Sequence, residues 1–363
     1  MLEIMENSTN SCDYTLIITA LEDVTHTDTS KLLITVFLPC ILVMGLTGNL
    51  IFLFVLYRVR WMRSDITFYL MNLAIADITF LSFTVGEKLW MYMTSLYMED
   101  VSSIGPVACF LFYPVQAMTY FASIALVTII SYERLQAICE PMGKIMTRRK
   151  HHSKRLAACS WFLGGAFSCL LIPGKSVVNT YCFVWDMTNS SNASIEPPYL
   201  DPMLLCNPLW SWSGDFANCL QTVPFFMAMV ANSIMYFKII QALKSTSTNA
   251  NTADLRARTL RDRNKVTRML VANGIIFFCC LAPFQTASLL RAFFFLDTQH
   301  FETASTVLMY LNSAVNPIVY NCTNSRYRMA FRLAFTRGPV SSRTRRFRSV
   351  ISMEEYHRSS VVL

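Results

Sequence analysis

Seven stretches of this chain are each long and apolar enough to cross a lipid bilayer, and this restricts the fold more than any other feature of the sequence. They lie near residues 32–57, 66–94, 107–138, 156–174, 217–242, 266–295 and 303–322. A bilayer core of roughly 30 Å is crossed by about 20 apolar residues in a helix. No water is present there to satisfy backbone N–H and C=O groups, so a span of this length must satisfy them internally, as a helix does. Composition agrees: 53% of the residues are hydrophobic and 15% are charged, against about 25% charged in soluble domains. Pro173, Pro224, Pro283 and Pro317 fall inside these blocks. Proline breaks a helix in water, but neighbouring helices and waters in a bundle can satisfy the carbonyls it frees. The expected fold class is an all-α membrane protein, a seven-transmembrane helix bundle.

Charge placement orients the bundle. Basic residues concentrate in alternate connections: Arg58, Arg60 and Arg63; Lys144 to Arg155; Lys238 to Arg268; and the tail from Arg326 to Arg358. With Arg134 on the same side, only Lys31, Lys88, Lys175 and Arg291 of the 31 basic residues remain for the other side. The positive-inside rule then places the N-terminus outside and the C-terminus in the cytoplasm, as in a multi-pass plasma-membrane protein. Basic runs also occur on nucleic-acid-binding surfaces, but their alternation with apolar spans argues against nucleic acid as a partner. The sequons at Asn7, Asn189 and Asn192 fall on the outer side, where glycosylation occurs. Residues 1–30 contain no apolar core preceded by positive charge, so no cleavable signal peptide is expected and the first span would act as the anchor.

Three regions follow. Residues 1–30 form an extracellular tail, too short for a folded ligand-binding domain. Residues 31–335 hold the bundle and, at 324–335, a segment whose Tyr327, Phe331, Leu333 and Phe335 alternate with arginines. That segment reads as a short amphipathic helix on the inner membrane surface, in contact with lipid. Residues 336–363 form a basic, Ser-rich cytoplasmic tail. No internal repeat suggests an inverted-repeat transporter. Of the 12 cysteines, Cys12, Cys109, Cys182 and Cys206 lie on the outer side, and no spacing reads as a zinc site.

Ionisable residues inside a membrane are costly and point to function. This chain places Asp77 deep in span two, within Leu73-Ala-Ile-Ala-Asp77, and Glu133-Arg134 at the inner end of span three. Asn49 follows Gly48 in span one, and Asn312, Ser313 and Asn316-Pro-Ile-Val-Tyr320 lie in span seven. With Cys109 above span three, Trp161 in span four, and Phe277, Cys280 and Pro283 in span six, these motifs occur in the right spans and order. The chain therefore resembles the rhodopsin-class G-protein-coupled receptors across about 300 residues.

The resemblance implies roles. Arg134 would be held at rest by Glu133 and would swing on activation to meet a heterotrimeric G protein, with Tyr236, Pro283, Asn316, Pro317 and Tyr320 forming the rest of the switch. A guanidinium keeps its charge and offers five donors, which suits exchange between two acceptor sets. Asp77, Ser123, Asn312, Ser313 and Asn316 match the family's pocket for an allosteric sodium ion. Such oxygens suit a hard cation, and they would equally form a water-filled polar network. Beyond that ion no cofactor is implied. Cys109 would be disulfide-bonded to Cys206, with Cys182 as the alternative; if Cys206 is used, Cys12 and Cys182 remain as a second pair. Arrestin and receptor kinases would act on the tail around Arg345-Arg-Phe-Arg-Ser349, which anionic lipid could equally hold.

The chain also departs from the family. Leu135 follows Arg134 where the motif has Tyr, Leu281 replaces the aromatic switch of span six, and Pro224 comes one turn earlier than Tyr236 would suggest. Arg263 stands where some receptors place an acid that latches Arg134, which raises the expectation of basal activity.

Ligand class is read from the outer half. Gln116 stands where amine receptors carry an Asp, and Tyr310 where opsins carry the retinal lysine; neither ligand is expected. Glu87, Gln116, Gln285, Arg291 and Tyr310 are candidate cavity residues, and the long second outer loop carries Trp185, Tyr199, Trp210 and Trp212. A peptide offers charged termini and amides to such groups; Trp and Tyr also simply mark the headgroup level. The run Asn264-Lys-Val-Thr-Arg-Met-Leu270 and the segment from Tyr310 to Pro317 resemble the thyrotropin-releasing-hormone, neuromedin U and ghrelin receptor group, which implies an extracellular peptide and coupling to the phospholipase C type of G protein. The alternatives are a lipid or other small ligand or, in a different class, a transporter, although the polar residues cluster around Asp77 and do not line a path through the bilayer. No paired nucleophile and base suggests an enzyme.

Overall fold

The apolar blocks fold into helices, and polar residues at their edges set where several of them begin. The computed structural model describes residues 3–6, 12–18, 24–139, 152–185, 201–248, 254–294 and 299–336. Helix α1 (Asp28–Arg58) starts after Thr27, whose side chain accepts a hydrogen bond from the Ser30 amide. Helix α2 (Asp65–Thr94) starts with a reciprocal cap between Ser64 and Thr67, which satisfies two of the amides a helix start leaves open. Helix α3 (Ala108–Ile138) opens with a π turn over Ala108–Phe112. Helix α4 (His152–Leu171) runs into a 3-10 turn at Ile172–Gly174. Helices α5 (Ser213–Thr248), α6 (Asp254–Phe294) and α7 (Gln299–Thr323) carry Pro224, Pro283 and Pro317 in their interiors. Helix α8 (Ser325–Phe335) is capped by Asn324, whose Oδ1 accepts from the Arg326 amide at 2.9 Å.

Helix α3 runs through the middle of the bundle, against α2, α4, α5 and α6, and α1 packs on α2 and α7. Gly164 permits the close approach of α4 to α3: a Cβ there would lie 2.6 Å from the Met118 carbonyl oxygen. Large apolar side chains face outward, as on Phe162, Val43, Met227 and Phe237; facing lipid, they lose nothing by exposure. Among the described residues, six helices, α1 to α6, are apolar enough by composition to cross a membrane. The seventh, α7, is long enough but amphipathic. It turns Ser305, Asn312, Ser313 and Asn316 into the bundle and Leu308 and Ile318 outward. Polar groups in a membrane face the bundle interior, so this composition marks the side of α7 that lines the centre.

A sheet adds to the all-α expectation. Strands β1 (Glu3–Glu6), β2 (Tyr14–Ile18), β3 (Val177–Trp185) and β4 (Met203–Asn207) form one sheet in that order. Pairing is antiparallel between β1 and β2, parallel between β2 and β3, and antiparallel between β3 and β4. Residues 1–30 therefore contain ordered strands where only a tail was expected. The parallel pair sets Thr15 opposite Cys182, and the Cys12–Cys182 disulfide ties the two segments together. Leu16, Val24, Tyr97, Tyr181 and Met203 form a small buried cluster with the sheet.

Candidate functional site

Three polar regions are stacked along the bundle. At the sheet end, Cys109 at the start of α3 is bonded to Cys206 of β4. Between α2 and α3, Gln116 Nε2 donates to Glu87 Oε2 at 2.6 Å. The next residue, Lys88, pairs with Glu99 at 3.4 Å. Sequence reasoning missed Glu99, because nothing in a loop sequence shows that it will face a cation. Its backbone is left-handed, with φ of 62°, a conformation that costs about 1–3 kcal/mol in a non-glycine residue and persists only where its surroundings enforce it. The neighbour supplies that enforcement. Buried Asp100 accepts hydrogen bonds from Ser95 Oγ, Ser102 Oγ and the amides of Ser102 and Leu204, all at 2.7–2.9 Å. The loop is thereby pinned to β4. The Lys88 ammonium, then Lys175, hold the Glu99 carboxyl well below its usual range, at about 2. Lys175 Nζ also lies over the Tyr113 ring, 5.4 Å from its centroid.

The other candidates for the ligand cavity are distributed as follows. Tyr310 is buried and packs on Phe80, with ring centroids 6.2 Å apart. Gln285 is buried and accepts from Thr222 at 3.1 Å, while its Nε2 finds no partner among the described residues. Arg291 is exposed at the sheet end of α6, within electrostatic reach of Glu99. Trp210 and Trp212 stack at 5.4 Å and stand half exposed at the start of α5. His26, beside Tyr92 at 5.0 Å, has both ring nitrogens buried without a partner among the described residues. A cavity of about 370 Å³ opens between α2 and α3 and includes Glu87 and Gly86 in its lining.

In the middle, Asp77 is buried and its Oδ2 accepts from Asn316 Nδ2 at 2.7 Å, joining α2 to α7. Asp77, Ser123, Asn312 and Ser313 line a void of about 20 Å³ roofed by Phe277 and Leu281. A void of this size holds about one water or ion. Asn312 Oδ1 is buried with no hydrogen-bond partner among the described residues, so the void offers an unused acceptor oxygen beside the carboxylate. This donor set fits a small hard cation. Four of the five residues of the sodium-pocket reading line this void, the fifth, Asn316, is hydrogen-bonded to Asp77, and Leu281 stands at the aromatic position. Asn49, on α1, donates to the Ser313 carbonyl at 2.9 Å and closes the same network.

At the far end, Tyr69 Oη donates to Glu133 Oε1 at 2.8 Å, and Glu133 is buried. Arg134 is half-buried beside it. Ser131 and Tyr236 are hydrogen-bonded at 2.9 Å, joining α3 to α5. Leu135 packs with Tyr236, Ile239, Leu243 and Val271, so the apolar replacement in the Glu-Arg motif extends the α3–α5–α6 contact. Gly274 of α6 lies against the Tyr236 hydroxyl so closely that a Cβ there would collide with it. Tyr320 is buried among Phe52 and Tyr327, and its hydroxyl has no partner among the described residues. Asn7, Asn189, Asn192, Tyr199, the side chains of Trp185 and Arg263, and the tail beyond residue 336 lie outside the described residues.

Residues 48–320 match the family model described as 7 transmembrane receptor (rhodopsin family). Neuromedin-U receptor 2 of Mus musculus is 27% identical over 302 residues, covering 80% of this chain and 72% of that receptor. Somatostatin receptor type 5 of Bos taurus is 24% identical over 295 residues, covering 79% of this chain and 72% of the relative. Somatostatin receptor type 4 of Rattus norvegicus is also 24% identical, over 296 residues, covering 79% of this chain and 68% of the relative.

Proposed function

The chain belongs to the rhodopsin family of seven-transmembrane receptors, and from that premise we propose that it binds an extracellular peptide at the sheet end and activates a heterotrimeric G protein at the other. It is a multi-pass membrane receptor and not an enzyme. The observation that carries the peptide reading is the set of charged groups at the sheet end: Lys88 with Glu99, and Lys175 and Arg291 in electrostatic reach. Peptides present termini, side-chain charges and backbone amides to such a set. The relatives named for neuromedin U and somatostatin support the same reading. The sheet end faces outward in this reading. Both disulfides lie there, and disulfides persist in oxidising compartments; the basic connections fall on the opposite side.

The mechanism is a population shift. A peptide that binds one arrangement of the bundle more tightly moves the equilibrium toward it by the difference in affinity, and by linkage the bound G protein tightens peptide binding by the same factor. Tyr320 supplies a local driving force. Its buried hydroxyl has no partner among the described residues, and a rearrangement that gives it a protein partner adds about 1 kcal/mol. Arg134 is the group that the G protein meets. A sodium ion in the void beside Asp77 would hold α2, α3 and α7 in the present arrangement and oppose the shift. The coupling partner we propose is the phospholipase C type of G protein, and the cytoplasmic tail is the proposed target of receptor kinases and arrestin.

The test is calcium release in cells expressing the chain, challenged with a library of amidated and free-acid neuropeptides, beside the variant Arg134→Ala. A peptide-dependent signal that the variant abolishes supports the reading. Surface-displayed protein that answers no peptide and drives no G-protein pathway would overturn it.

A further inference from the structure

The cavity of about 370 Å³ between α2 and α3 is not on the side of α2 that faces the bundle. Asp77, Leu81, Thr84 and Val85 are the buried face. At 100° per residue, Ser82, Gly86 and Trp90 lie on the opposite face, and Ser82 and Trp90 are exposed. The loop residue Ser103 and Phe112 of α3 complete the crevice. In a membrane this face meets lipid, where polar groups are costly and call for a partner.

Glu87 supplies the polar end. Its Oε2 accepts from Gln116, while its Oε1 receives no hydrogen bond among the described residues. Lys88 is engaged by Glu99. Gly86 supplies the room: a Cβ built there meets nothing within 4 Å. No neighbour requires a glycine at that position, and a glycine inside a helix costs about 1 kcal/mol relative to alanine. A small residue there keeps the floor of the crevice open. Trp90 stands a turn above it, exposed one turn from the sheet end of α2, and tryptophan is enriched at helix ends of this kind, where spans meet the headgroups.

We propose that this crevice binds a membrane amphiphile with a protonated amine head, of the long-chain amino-alcohol class, entering from the lipid side. The ammonium meets Glu87 Oε1, a head hydroxyl reaches toward Ser103, and the chain runs down the crevice past Gly86 and Ser82 along Phe112. The volume falls in the range of small-molecule sites. The leaflet concerned is the one at the sheet end, the outer leaflet in the orientation proposed above.

The test uses the full chain in phosphatidylcholine nanodiscs and a sphingosine probe carrying a diazirine and an alkyne, with a fatty-acid probe of the same chain as control. Labelled peptides are located by mass spectrometry. Expected is saturable amine labelling between residues 82 and 112, competed by unlabelled sphingosine, with the acid probe at background. Glu87→Gln should lower the amine labelling at least fivefold. Gly86→Phe, which fills the crevice, should lower it at least tenfold. Ser103→Trp blocks it from the loop and changes no residue of α2, giving up only the exposed contact between the Ser103 and Thr94 hydroxyls, so the test survives if Gly86→Phe does not fold. Equal labelling by both heads, labelling unchanged in both blocked variants, or no labelling in this segment would overturn the proposal. Neither a peptide nor a G protein enters the assay, so its failure and a failure of the receptor reading are separate results.

Discussion

At the sheet end, two disulfides, a four-stranded sheet and four hydrogen bonds to Asp100 fix the loops to one another. At the opposite end, the described links between helices include single hydrogen bonds: Tyr69 to Glu133, and Ser131 with Tyr236. A disulfide contributes about 2–4 kcal/mol, whereas one net hydrogen bond contributes about 1 kcal/mol. The first end is built to keep its shape. The second is built so that small differences in free energy can change it. Between them, the Asp77–Asn316 contact and the void beside it connect α2, which carries Glu87 and Lys88, with α7, which carries Tyr320.

Substitutions can break or sharpen this contrast. The largest effect is expected from Cys109→Ser, which releases β4 from α3. The purified receptor should lose roughly 5–10 °C of thermal stability, and surface display by flow cytometry should fall severalfold. Next is Gly274→Ala. The new methyl must push the Tyr236 hydroxyl aside and break its bond to Ser131. This bond ties α5 to α3 against opening, so losing about 1 kcal/mol should raise basal second-messenger output roughly fivefold. Tyr236→Phe should move it in the same direction, with little change in thermal stability in either case. A smaller and more selective effect is expected from Lys88→Gln. Its ion pair with Glu99 is largely solvent-facing, with the Glu99 side chain 70% exposed, and such pairs contribute about 0–1 kcal/mol. Thermal stability should barely change, while the potency of an activating peptide with an acidic group falls.

The smallest effect is a pH dependence confined to the sheet end. Burial, then the charges of Lys88 and Lys31, push the His26 imidazole below its ordinary 6.5. The unfolded chain therefore binds more protons there, so the contribution of His26 to stability is present above pH 6.5 and is lost as pH falls through its lower folded value. His26→Gln should flatten the pH dependence of thermal stability below pH 6.5, and the coupling end should be indifferent to it.

Much of the bundle was legible in the sequence because lipid imposes one rule on every span. The apolar blocks, and the polar residues that interrupt them at Asp77, Asn316 and Glu133, reappear as helices and as the links between them. The block at 303–322, read as apolar enough to span, is a long helix but too polar by composition alone, because α7 turns a polar face into the bundle. The sheet end was read less well. Strand pairing joins Tyr14–Ile18 to a segment far away in the chain, and local pattern carries no information about such partners. Glu99 was missed for the same reason: its role comes from a left-handed turn and the Asp100 network, neither of which has a signature in composition. The relatives sharpen the family but not the ligand, since receptors named for neuromedin U and for somatostatin stand at 24–27% identity.

The contrast between the ends is tested most directly by pulsed electron-paramagnetic-resonance distances in the purified receptor. Spin labels on a keto amino acid would be placed at exposed Lys154 and Arg268 at the coupling end, and at exposed Leu96 and Trp212 at the sheet end. On addition of nucleotide-free G protein, the Lys154–Arg268 distance should lengthen by several ångströms while the Leu96–Trp212 distribution stays in place. An unchanged coupling-end distance, or an equal change at the sheet end, would contradict the account.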